Sequence, residues 1–144
     1  MRLWLFLLCA CSQPKKFWID RESIPINLTE AEVESTLDAI SQRLSSCGHD
    51  MVIVDKADEN TTVILWEHIT WGTIGYQGRG RIVLDMSVSW IGSGPCEKLV
   101  DLYTLMLHEI GHAFGQGHVL DYEDIMHAET GWCLAKTKLS WCDG

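Results

Sequence analysis

Apolar residues recur at helical spacing in two stretches of the chain, with short continuous apolar runs between them. In the first stretch Val33, Leu37, Ile40 and Leu44 share one helix face. Thr29 and Glu32 have the spacing of a capping box and Gly48 offers a stop, so a helix over about 29–46 is expected. Met51–Val54, Thr62–Trp66 and Arg81–Met86 read as strands, the first two separated by the polar turn 55–60. The glycine-rich stretch 71–80 (W-G-T-I-G-Y-Q-G-R-G) reads as a loop, as does Ile91–Pro95. A second helix is expected over about 97–115, with Leu99, Leu102, Met106, Ile110 and Ala113 as its buried stripe. Beyond Gly115 the pattern is irregular, and residues 11–28 read as a tether. This order predicts an α+β domain over 29–144, with a mixed β-sheet, two main helices and an irregular C-terminal subdomain.

Composition narrows the class. The 144 residues, 47% of them hydrophobic, suffice for one core. A net charge of −9 without a basic stripe excludes an electrostatic nucleic-acid binder. Residues 1–10 (M-R-L-W-L-F-L-L-C-A) place a short apolar run after one Arg, too short to cross a bilayer, which takes about 20 apolar residues. The expectation is an export signal. Leu8-Cys9-Ala10-Cys11 resembles the lipobox of bacterial lipoproteins. That resemblance implies cleavage before Cys11, a lipid on its thiol, and a cell-envelope lipoprotein held at a membrane. An ordinary signal cut after Ala10, giving a secreted protein, stays open, as does a buried N-terminal strand. Four cysteines then remain, Cys47, Cys96, Cys133 and Cys142, and an even number in an exported chain suggests disulfides. Of the three connectivities, Cys47–Cys96 with Cys133–Cys142 is the one expected; free buried thiols are the alternative.

The chemistry concentrates in His108-Glu109-Ile110-Gly111-His112-Ala113-Phe114-Gly115-Gln116-Gly117-His118. On a helix, positions i and i+4 share a face, so His108 and His112 can hold one metal ion together. Catalytic zinc usually has three protein ligands and an open fourth position. His118 lies too far along to share that face, so the helix must break first. Gly115 stands at the break, where a left-handed backbone conformation costs glycine little. Glu109 is then placed to take a proton from water.

The string resembles the metzincin signature H-E-x-x-H-x-x-G-x-x-H. Met126, eight residues after His118, and Asp121, three after it, resemble the matrixin branch. The resemblance implies a metzincin-like (zincin) fold and a zinc-dependent metalloendopeptidase that cuts proteins or peptides. It further implies one catalytic Zn2+ on His108, His112 and His118, Glu109 as general base, and Met126 as a floor beneath the imidazoles. It suggests that an edge strand binds substrate, a role assigned to Ile82, Val83 and Leu84. His127, where many relatives have Pro, is expected at the wall that receives the side chain after the cut bond. No calcium loop is evident, and His68 reads more readily as a structural residue than as a ligand. No segment carrying a zinc-blocking Cys is seen upstream, so an open site on a monomer is expected. The competing readings are a catalytically silent zinc-containing surface-binding module and a structural zinc site with His127 as fourth ligand.

Overall fold

The structure, a computed structural model, describes residues 13–91, 99–129 and 135–143. The expected signal at 1–10, the lipidated Cys11, Cys96 and Cys133 lie outside the described residues. Five strands form the main sheet: β1 (Lys15–Ile19), β2 (Met51–Ile53), β3 (Thr61–Glu67), β4 (Gly75–Gly78) and β5 (Arg81–Asp85). Their order is β2-β1-β3-β5-β4, parallel throughout except for the β4–β5 pair. A second, two-stranded parallel sheet joins β6 (Ser89–Ile91) to β7 (Leu99–Asp101). The helices α1 (Glu30–Ser45) and α2 (Leu102–Ala113) pack on each other; α1 also meets β2, and α2 meets β4.

The α+β class and mixed sheet follow the sequence reading. So does α1, whose Thr29 cap and Glu32 satisfy each other's backbone N–H groups while Val33, Leu37, Ile40 and Leu44 are buried. Three readings change. The segment expected to be a tether contains β1, an internal strand that pairs on both sides and buries Phe17 and Ile19. Its two leading lysines hide it in the sequence, but both are used. Lys15 Nζ donates to the Ala113 carbonyl at the C-terminal end of α2, where cations are favoured, and Lys16 pairs with Asp58. The stretch expected as a loop contains β4, an edge strand made by backbone pairing despite its two glycines. The second helix starts later than the periodicity suggests. Asp101 caps α2 by accepting from the Thr104 N–H at 2.8 Å, and the residues before it run extended in β7.

The expected cysteine pairing is also corrected. Cys47, just after α1, is bonded to Cys142, which packs against the same core. The C-terminal tail therefore returns to α1 rather than closing on Cys133. Arg43 reinforces the closure by pairing with Asp143. Removing a cross-link over a sequence separation of 95 residues frees much unfolded-chain entropy. Cys142→Ser is expected to lower the unfolding free energy by about 3–4 kcal/mol. Urea denaturation without reductant checks this, and an unchanged midpoint would refute the closure's importance.

Candidate metal centre

His108, Glu109 and His112 lie in the second half of α2. The helix ends in a Schellman motif: Gln116 N–H donates to Gly111 O and Gly115 N–H to His112 O, with Gly115 in the left-handed region at φ 85°. This break turns the chain back so that His118 reaches the helix face, as the sequence predicts. The three Nε2 atoms stand 3.1 Å (108–112), 3.0 Å (112–118) and 3.3 Å (108–118) apart. Among the described residues they form the one cluster of His, Cys, Asp or Glu placed to share a metal ion. His68 is exposed and outside it.

The arrangement fits a cation. His108 Nδ1 lies 2.7 Å from Ile125 O, and His112 Nδ1 lies 2.8 Å from Gln116 O. A carbonyl only accepts, so each Nδ1 carries the proton and each Nε2 presents a lone pair. Lone pairs facing one another at this range repel unless a positive ion lies between them. Tetrahedral zinc with bonds near 2.05 Å separates its nitrogen ligands by about 3.3 Å, close to the spacing seen. Burial pushes the His108 pKa down to about 4, opposed by the bond to Ile125 and assisted by His112, His118 and Lys136. The neutral, ligating form is thus the one present near neutral pH.

Glu109 is 3% exposed, and its Oε2 has no hydrogen-bond partner. Burial pushes its pKa up to about 8. An orphaned buried carboxyl costs free energy, and it lines the same cavity as the histidines. That cavity, of about 310 Å³, is walled by Thr73, Gly75, Tyr76 and Gln77 on one side and Ala128 on the other. Gly75 lets β4 approach closely: a Cβ there would lie 3.2 Å from Glu109 Oε1.

Beneath the histidines, Met126 is fully buried against the backbone of α2, and a Cβ on Gly111 would stand 2.4 Å from its sulfur. The turn bearing Met126 is held by Asp124, whose carboxylate accepts from Met126 N–H at 2.7 Å and Ser140 N–H at 2.8 Å. Burial opposes the Asp124 charge, but these bonds keep its pKa below the ordinary value. Ile125 N–H donates to Lys138 O, so the tail positions the peptide whose carbonyl orients His108.

The structure brings His108, Glu109, His112 and His118 to one cavity and packs Met126 against Gly111. The edge position expected for Ile82, Val83 and Leu84 is corrected: they are buried on β5 between β3 and β4 and do not form an edge. His127 is half-buried; its Nδ1 accepts from Glu129 N–H and its ring meets Tyr122, while Ala128 lines the cavity. Asp124, Gly111 and the β4 residues were missed. Only Gly111 carried a usable signal, as a helix-interior glycine that otherwise weakens α2.

The profile of the matrixin family, peptidase M10, matches residues 23–143. The chain belongs to the matrixin family. Matrixins use zinc, and the histidine trio here is a cluster that could hold a metal ion. The family supports a function of the metalloprotease type. No individual curated protein matches the chain. In this matrixin, Gly111→Ala should cost about 1–3 kcal/mol by overpacking Met126, and should weaken zinc binding. Combining it with Met126→Ala should cost less than the two single changes summed, because the smaller side chain removes the clash. Denaturation of the four proteins in the cycle measures this; strict additivity would rule out the contact.

Proposed function

We propose that this matrixin is a zinc-dependent endopeptidase in which Glu109 is the general base. The observation that carries this reading is the buried Glu109 carboxyl, unpartnered at Oε2, in one cavity with three converging imidazoles. His108, His112 and His118 would hold the ion. A zinc ion so held supplies Lewis-acid polarisation of a carbonyl and makes water more acidic. The chain's own residues supply the rest. Gly75 and Tyr76 on the outer edge of β4 offer backbone groups to an extended peptide, which pairs with the strand in antiparallel sense. This moves the edge-binding role from β5 to β4.

Glu109 accepts a proton from the water whose oxygen attacks the scissile carbonyl carbon. As the C–N bond breaks, the same proton passes to the leaving nitrogen. Burial alone favours the protonated carboxyl, as the donating step needs, and a cation held by the histidines would favour the ionised form that accepts the proton. The Cys47–Cys142 bond supports export to an oxidising compartment, and we include attachment through Cys11 in the proposal. Mass spectrometry of the mature N-terminus tests that attachment.

Glu109→Gln is expected to retain one zinc per chain while peptide cleavage falls by at least about a hundredfold. A chelator should abolish cleavage by the unaltered protein, and added zinc should restore it. Metal analysis beside a peptide-library digest checks both. Full cleavage by Glu109→Gln, or indifference to the chelator, would overturn the mechanism.

A further inference from the structure

The histidine cavity borders on β4. A second cavity, of about 480 Å³, is lined by Tyr76, Gly78, Arg79 and Arg81 and shares Tyr76 with the first. The exposed Trp71 stacks on Tyr76 with ring centroids 5.5 Å apart. Along β4 the order is thus Gly75 against Glu109, then the aromatic pair at Tyr76, then two arginines at the β4–β5 hairpin.

Both guanidinium groups are exposed. The ion pairs among the described residues join Lys16 to Asp58, Arg21 to Glu30 and Glu34, Arg43 to Asp143, and Lys138 to Asp121. Arg79 and Arg81 take part in none, although the chain has 20 acidic residues and 11 Lys and Arg. Arg79 is also the non-glycine residue with positive φ among the described residues, at 52°, followed by Gly80 at 74°. A two-residue hairpin loop of this kind ordinarily favours Asn, Asp or Gly at its first position. An arginine there gives up backbone preference and gains a cation beside the second cavity.

We propose that Arg79 and Arg81 form a subsite for a carboxylate side chain of the peptide substrate, on the N-terminal side of the bond that is cut. The proposal rests on the peptidase reading above. The side follows from strand sense. Gly75 lies against Glu109, and a peptide antiparallel to β4 has its N-terminal end beside Gly78. Gly75 to Gly78 is three residues, a rise of about 10 Å. The carboxylate therefore belongs roughly three to five residues before the cleaved bond. The overall negative charge of the protein disfavours a uniformly acidic substrate, so the subsite selects one or two acidic residues in this window.

Fluorescent peptides sharing one cleaved core and carrying Glu, Gln or Lys three, four or five residues before the bond test this. Two readouts are used: kcat/KM with the zinc-loaded protein, and binding by anisotropy to the Glu109→Gln protein. In at least one position Glu should exceed Gln by about threefold to tenfold in both, the preference shrinking at high salt. Arg79→Gln with Arg81→Gln should bring the Glu/Gln ratio to about one, Arg79→Lys with Arg81→Lys should keep it above one, and Arg79→Glu with Arg81→Glu should favour the Lys peptide. Cleavage and binding that ignore the charge overturn the subsite. Charge-selective binding without cleavage keeps the subsite and overturns the peptidase reading.

Discussion

The missing side chain of Gly111 is the space on which the site is stacked. A Cβ there would stand 2.4 Å from the Met126 sulfur, so the Met126 turn presses directly on the backbone of α2 one residue before His112. A helix-interior glycine weakens a helix by about 1 kcal/mol relative to alanine. Here that loss permits a backbone-to-sulfur contact that fixes the level of the turn. The Ile125 carbonyl is set at the same level and orients the His108 ring.

The load passes outward through backbone hydrogen bonds. Asp124 ties the Met126 turn to Ser140, Ile125 ties it to Lys138, and the tail returns through Cys142 to the end of α1. The irregular C-terminal region is therefore a brace. Its regularity lies in which groups it satisfies, and its own backbone forms little periodic structure. The buried Asp124 side chain takes the place of a sheet partner for the Met126 amide, which would otherwise be buried unpaired, and also holds the Ser140 amide.

Legibility in the sequence followed the range of the interaction. The histidine motif, the Gly115 break and the Thr29 capping box are local, set by spacings of three to eleven residues, and the structure keeps them. Met126 was readable because of its fixed distance from His118. What escaped was set by distant partners. Lys15–Ile19 is a strand because β2 and β3 flank it, and its lysines find Ala113 and Asp58 far along the chain. Gly75–Gly78 has poor strand character alone and becomes one by pairing with β5. Once β4 exists, β5 ceases to be an edge, which is why the edge role first given to Ile82–Leu84 fell one strand short. Disulfide choice was likewise fixed by where the tail travels, which spacing does not encode.

The outer margin of β4 is unpaired among the described residues, and any strand can read such a margin, including one from another copy of this chain. The peptide-binding role proposed for this margin, backbone pairing with an extended chain, thus shares its grammar with aggregation. The strand is only four residues long, carries glycine at both ends, and stops at a cationic tip where two copies in register would repel. The hairpin arginines would then limit self-pairing while leaving the margin available to a chain that brings the opposite charge.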